Sequence, residues 1–267
     1  MAIENDGYKL YLGDCLEIMK DIPNESIDCI ICDLPYGTTH CDFDKVLKSM
    51  DKYKQKSIID LDLLWEQYER IIKPDGAIVL FGSQPFSSVL ISSNYKLYKY
   101  NWVWEKNKAG NHVAIAYQPL KIHEDILIFS KAGCNTNCKT PIKYNPQGVI
   151  WKEEIKYRKN DVKKEGINKY NSLKKGEYKI KGSNYPKTIL EFNVPCGKER
   201  FHPTQKPVDL LEYLVKTYTN EGDVVLDNCM GSGSTGVACM NTNRKFIGIE
   251  LKEDYFEISC KRLKELS

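Results

Sequence analysis

Two apolar runs, each leading straight into a polar turn, constrain this chain more than any bulk property. The first, Ile27–Cys32, runs into Asp33-Leu34-Pro35-Tyr36; the second, Val224-Val225-Leu226, runs into Asp227-Asn228-Cys229-Met230-Gly231-Ser232-Gly233-Ser234-Thr235-Gly236. A strand apolar on both faces belongs in a parallel sheet covered by helices on both sides. A strand that turns through glycines into a helix is the repeating unit of a doubly wound α/β fold. One turn sets a carboxylate, a rigid proline and an aromatic ring at a strand tip. The other lets backbone approach a ligand closely, because glycine has no Cβ.

At 267 residues with 42% hydrophobic content, the chain fits one large α/β domain, or one domain with an insertion. No apolar run approaches the ~20 residues that span a bilayer. Residues 1–10 are polar and acidic, unlike a secretory signal. A cytoplasmic protein without membrane contact is expected. Of ten cysteines, Cys29, Cys32 and Cys239 lie in apolar runs and read as buried reduced thiols. Cys29 and Cys32 spell C-x-x-C, but mid-strand residues at i and i+3 face opposite sides, which argues against a redox pair. Cys134 and Cys138 have zinc-knuckle spacing, with Cys196 as the one plausible third ligand nearby. A polar loop is the plainer reading, and no metal is assigned.

The net charge of +3 hides an asymmetry. Residues 133–200 carry 16 Lys and Arg against 7 Asp and Glu, and the rest of the chain carries 23 against 29. The basic stretch is interleaved with Tyr144, Trp151, Tyr157, Tyr170, Tyr178, Tyr185 and Phe192. Basic groups neutralise phosphates and aromatic rings stack on bases, so the segment is a candidate nucleic-acid reader. A solvated lysine-rich loop is the bland alternative.

Periodicity predicts strands at 9–12, Ile27–Cys32, 77–81, 100–104, 125–129, 224–226 and 246–249. It predicts helices at 15–20, 60–73, 208–218, 234–240 and 254–266, the second ended by Pro74-Asp75-Gly76. Residues 37–57 are polar and aperiodic, and read as a mobile loop suited to be a lid.

Gly231 to Gly236 spells G-x-G-x-x-G between a strand and a helix, with Glu250 19 residues after Gly231. That spacing raises a dinucleotide site. Against it, four residues separate the strand from the first glycine, and Asp227 sets a carboxylate where a pyrophosphate would lie. The charge suits a cationic ligand. S-adenosylmethionine is one: a sulfonium, an ammonium and a ribose, with no phosphate. On this reading Asp227, Asn228, Gly231, Ser232 and Gly233 cradle the cofactor. Ser234 and Thr235 open a helix toward its carboxylate, and Glu250 accepts from its ribose hydroxyls. A purely structural glycine turn is the alternative.

Further segments carry a resemblance: Gly13-Asp14-Cys15, Phe81-Gly82-Ser83-Gln84-Pro85-Phe86, His123-Glu124 and His202-Pro203-Thr204-Gln205-Lys206-Pro207. With the two turns, in this order, they resemble the β-group DNA amino-methyltransferases, which methylate N6 of adenine or N4 of cytosine. The resemblance spans the chain except 133–200 and looks like compact phage and prophage members. It implies a doubly wound, mixed but mostly parallel seven-stranded sheet. Residues 1–132 and 201–267 would form one catalytic domain around a target-recognition insertion, 133–200.

By the resemblance, Asp33 accepts a hydrogen bond from the target amino group, the carbonyl of Leu34 accepts the other, and Tyr36 stacks on the base beside Pro35. Asp14, next to Cys15, matches an acid that contacts the cofactor's adenine. His202, Thr204, Gln205 and Lys206 match the segment near its methionyl end. Leu34 departs from a proline in the family's tetrapeptide, and Asn228-Cys229 departs from the usual Pro-Phe.

The chemistry explains these residue types. An exocyclic amine is a poor nucleophile because its lone pair is delocalised into the ring. An ionised Asp33, which only accepts, favours pyramidalisation of that nitrogen. A duplex base must flip out to reach such a site, at a cost of a few kcal/mol.

Aspartate at position 33 tilts the expectation toward N6 of adenine, with N4 of cytosine the near alternative. RNA or protein-glutamine methylation is more distant, because those enzymes usually place the cofactor motif before the tetrapeptide. A non-catalytic regulator would have a damaged acceptor motif. The expected partner is double-stranded DNA, with the protein a monomer or homodimer and a cognate restriction endonuclease the companion to look for.

Overall fold

A computed structural model describes residues 1–36, 59–159, 177–197, 201 and 204–266. The loop at 37–57 lies outside the described residues, as does part of the 133–200 segment. In chain order the elements are β1 (Ala2–Glu4), β2 (Tyr8–Leu12), α1 (Cys15–Ile18), β3 (Ile27–Cys32), α2 (Leu61–Ile71), β4 (Ile72–Gly82), α3 (Phe86–Ser93), β5 (Tyr98–Gly110), β6 (Lys121–Phe129), β7 (Ile150–Lys159), β8 (Glu177–Ser183), β9 (Ile189–Phe192), α4 (Val208–Tyr218), β10 (Val224–Asp227), α5 (Ser234–Asn241), β11 (Lys245–Glu250) and α6 (Glu253–Lys264).

One sheet runs β1-β2-β11-β10-β3-β4-β6-β5-β9. From β2 to β4 neighbouring strands are parallel; β6 is antiparallel to both β4 and β5. The seven strands expected from sequence are its inner seven. The short strands β1 and β9 extend its two edges, so the sheet has nine strands rather than seven.

β3 is buried at every residue, and its side chains alternate between the two faces. Cys29 and Ile31 join a core with α4, α5 and α6, whereas Ile30 and Cys32 join the core under α1, α2 and α3. Cys29 and Cys32 therefore sit on opposite faces. Burial pushes the Cys32 thiol up to about 12 and raises Cys29 as well, which keeps both protonated and inert.

The structure corrects two local expectations. Pro74-Asp75-Gly76 is not a turn before the next strand: β4 starts directly after α2 and contains it. Pairing with β3 jumps from Ile27↔Ile72 to Cys29↔Ala77, so the intervening residues of β4 bulge. A Cβ on Gly76 would come within 2.7 Å of the Asp28 carbonyl oxygen, and only glycine lets the two strands close. The second correction is α3, a helix that periodicity does not predict. Its sequence, Phe-Ser-Ser-Val-Leu-Ile-Ser-Ser, is poor in helix formers, and it is held by burying Phe86, Ser87 and Leu90.

Cα packing divides the chain into a unit of Met1–Asn145 with Thr188–Ser267 and a unit of Pro146–Lys187. The smaller unit contains the antiparallel pair β7–β8. It lies inside the 133–200 stretch, whose flanks belong to the larger unit.

Candidate active site

The topology puts the site at one edge of the sheet. β10 and β3 are parallel neighbours, but the chain continues from β10 to β11 on one side and from β3 to β4 on the other. The crevice at their carboxyl ends is a topological switch point. Four adjacent parallel strands end there on acids: Asp14 follows β2, Glu250 ends β11, Asp227 ends β10 and Asp33 follows β3. They border a cavity of about 970 Å³. Its wall includes Asp14, Cys15, Asp33, Leu34, Pro35, Tyr36, Thr204, Gln205, Lys206, Asp227, Asn228, Gly231, Ser232, Ser234, Thr235 and Glu250. The sequence-assigned residues are thus brought together, apart from two. His202 lies outside the described residues, and Gly233 stands behind the wall.

The glycine turn is built to be tight. Gly231 (φ 51°) and Gly233 (φ 74°) both take left-handed backbone that side chains disfavour. A Cβ on Gly233 would press on Ser259 at 3.1 Å, while one on Gly231 would meet nothing within 4 Å. Space is therefore left open over Gly231, as a ligand cradle requires. From α6, Ser259 Oγ donates to Gly231 O (2.7 Å), and Arg262 donates to Ser232 O (2.5 Å) and Ser234 Oγ (3.1 Å).

The acids of this half are individually restrained. Glu250 accepts from Gly231 N (2.9 Å) and Lys252 N (2.8 Å), and burial raises its pKa. Asp227 accepts from Thr235 Oγ1 (2.7 Å) and Cys229 N (3.1 Å). Burial pushes its carboxyl up to about 7, against those hydrogen bonds. A cation placed beside it would restore the charged form. Asp14 caps α1 by accepting from Leu16 N at 2.8 Å. At Asn228-Cys229, where the resemblance expects Pro-Phe, Asn228 Nδ2 lies 3.6 Å from both Cys15 Sγ and Cys229 Sγ, and Tyr68 donates to Asn228 Oδ1.

The other half of the cavity is a chain of charges. Tyr36 OH donates to Asp33 Oδ1 at 2.8 Å, and Lys206 Nζ donates to Asp33 Oδ2. Lys206 also faces Glu124 Oε2 at 3.5 Å, and Lys106 donates to Glu124 Oε1. Glu124 Oε2 is buried and accepts no hydrogen bond among the described residues. Phe86 braces the Tyr36 ring, with centroids 5.0 Å apart and planes at 30°.

Burial pushes the Asp33 carboxyl above the ordinary carboxylate range; Lys206 pulls it back and Glu124 pushes it further up. Burial also opposes the Lys206 charge, but Asp33 and Glu124 outweigh it and hold Lys206 above the usual lysine value. Glu124 feels the same burial, which Lys206 and Lys106 outweigh, so it stays below the usual range. Glu124 belongs to the His123-Glu124 pair, to which the sequence alone assigns no role. Its place follows from pairing: β6 is antiparallel to β4, so an acid near its start shares the edge with acids at the ends of β3 and β10.

Comparison with known proteins decides the family. The N6/N4 DNA methylase family matches residues 27–261. The chain belongs to it. S-adenosylmethionine is that family's methyl donor. Among curated relatives, the type II methyltransferase M.HpaI of Haemophilus parainfluenzae is 29% identical, over 96% of this chain and 74% of its own length. The DNA adenine methyltransferase YhdJ of Escherichia coli K12 is 27% identical over 97% and 83%. M.HinfI of Haemophilus influenzae is 31% identical over 95% and 67%. Among solved structures, an M1.HpyAVI–SAM complex superposes with a TM-score of 0.61 at 27% identity, over 96% of this methylase and 98% of that chain. The cytosine-N4-specific PvuII methyltransferase shares the fold, at TM-score 0.63 and 16% identity over 98% and 92%. Among the described residues no His, Cys, Asp or Glu cluster is arranged to hold a metal, and no helix is long and apolar enough to cross a membrane.

Proposed function

We propose that this methylase transfers a methyl group from S-adenosylmethionine to N6 of adenine in double-stranded DNA, acting on a flipped-out base. The observation that carries the reading is Asp33: a carboxylate at the cavity wall, about 24% exposed, beside Tyr36 and Lys206 and one strand away from the acid and glycine turn that suit the cofactor. When bound, S-adenosylmethionine supplies a methyl electrophile. Asp33 accepts a hydrogen bond from the amino group, and its raised pKa makes it a ready acceptor as the nitrogen sheds a proton. The Leu34 carbonyl accepts the second amino hydrogen, and the Phe86-braced Tyr36 ring packs on the base. Asp227 faces the cofactor's cationic end, Glu250 its ribose and Asp14 its adenine, with Thr204, Gln205 and Lys206 nearby. The cavity lies at the upper end of the ~300–1,000 Å³ usual for ligand pockets, room enough for a cofactor with a base.

The 146–187 unit reads the target site. It carries 12 Lys and Arg against 5 Asp and Glu, and it exposes Trp151 and Tyr185, packed edge to face at 6.3 Å. The protein works in the cytoplasm, in keeping with nine described cysteines that are all free. It works as a monomer or homodimer, and likeness to type II methyltransferases makes a restriction endonuclease of the same site the companion to seek.

Nucleoside mass spectrometry on DNA incubated with the protein and S-adenosylmethionine tests the reading. N6-methyladenine is the expected product. N4-methylcytosine would keep the mechanism and overturn the base assignment. No methylated base despite cofactor binding would sink the proposal.

A further inference from the structure

The segment 111–120, joining β5 to β6, presents large apolar side chains to solvent: Val113 is 99% exposed, Tyr117 91% and Ile115 62%. It is nevertheless an ordered turn. Asn111 Oδ1 accepts from Lys121 N (2.7 Å) and Asn111 Nδ2 donates to Pro119 O (3.2 Å), tying both ends. Within it, Ala114 N donates to Asn111 O (2.9 Å), Tyr117 N to Ala114 O (2.9 Å) and Gln118 N to Ala114 O (3.1 Å). Holding three apolar side chains in water on a hydrogen-bonded projection is unfavourable, and a partner that covers them recovers that cost.

Two features specify the partner. Asn111 and Lys121, which pin the loop, also line the catalytic cavity, so the projection rises from the rim where a base must enter. Residues 107–123 contain Lys108 and Lys121 and no Asp or Glu, a charge that suits phosphates. A base drawn toward Asp33 leaves a gap in the duplex stack. Apolar side chains slipped between base steps fill such gaps and hold the helix open. We propose that Val113, Ile115 and Tyr117 form a wedge that enters the DNA stack beside the target and stabilises the flipped-out state. The inference rests on the DNA-methylation reading above.

The test compares the parent with a Val113→Ser/Tyr117→Ser double variant on two duplexes carrying the parent's mapped site. One duplex is fully paired; the other has an abasic site opposite the target base, which already lowers the cost of flipping. Since extrusion is costly and the wedge offsets part of that cost, kcat/KM on the paired duplex should fall about 30-fold while the abasic duplex stays within about threefold. S-adenosylmethionine affinity should not change. Equal losses on both duplexes, or no loss on either, would overturn the wedge. So would a parent dimer that the substitutions convert to monomer by sedimentation, because the side chains would then be an interface between copies. If the double variant fails to bind cofactor, Val113→Ser alone carries the same comparison from the most exposed position. A parent inactive on both duplexes contradicts the methylation reading itself; an active parent with non-selective losses contradicts only the wedge.

Discussion

Strand β3 carries a buried aspartate near its start and delivers a second, partly exposed to the cavity, just past its end, and their surroundings differ in kind. Asp28 accepts from Lys73 Nζ at 2.8 Å on both oxygens, from Lys143 Nζ at 3.1 Å and from Val224 N at 3.0 Å. Burial opposes its charge, but these partners outweigh it and hold Asp28 below the ordinary range. Asp33 has Tyr36 and Lys206, and it shares that lysine with Glu124, so burial wins and its pKa is raised. A carboxylate surrounded by several donors, even with Lys143 also pairing Asp223, is a clamp between strands. One left short of donors, in a cavity, retains the proton affinity that chemistry can use.

The contrast can be broken by substitution. Asp33→Asn should lower methyl transfer by about 10²–10⁴-fold, the range for a positioned proton acceptor, while cofactor binding and folding hold because Glu124 still pairs Lys206. Single-turnover transfer and a cofactor titration read both. Asp28→Asn should do the reverse. Its loss of about 2–3 kcal/mol falls below the 3–5 typical of a broken buried pair, because Lys73 is partly exposed. Urea denaturation measures it, and the activity of the folded fraction should be unchanged.

Acidification sharpens the difference. Asp28's folded pKa lies below its unfolded value, so its stabilisation is complete above about pH 4 and lost as pH falls through the folded value. Parent stability should decline in that window, with a shallower slope in Asp28→Asn. Asp33 must be ionised to accept, so transfer should fade as pH drops through a value above the ordinary carboxylate range. The smallest effect belongs to Asp227, whose carboxyl sits at about 7. Affinity for the cationic cofactor should rise with pH through that value, by up to about tenfold per unit below it, and flatten in Asp227→Asn. Calorimetry across pH 6 to 8 reads this directly.

Much of this was legible because the relevant residues follow strands in sequence. Asp14, Asp33, Asp227 and Glu250 each sit where an apolar run stops, and parallel strands bring such positions to one edge. β3 and α4 kept their expected bounds because both faces of one and the i, i+3, i+4 stripe of the other are buried. What escaped depends on pairing. Glu124 and Lys106 reach the site through the antiparallel β5–β6 pair, and no local period announces strand direction. β9 is a short strand within a basic, aromatic stretch, and it became sheet only by pairing with β5. The Gly76 bulge is set by an approach to Asp28 that the sequence separates widely. The motif puts Gly233 in the cradle, yet its close neighbour is Ser259 on α6.

The most direct test of the central claim is a carbon-detected NMR titration of protein labelled with ¹³C at the aspartate carboxyls, assigned through Asp28→Asn and Asp33→Asn. Asp33 should titrate above the ordinary value of about 3.9 and Asp28 below it. Titration of both at the ordinary value, or in the reverse order, would contradict the division between a carboxylate that holds the sheet and one that works on a base.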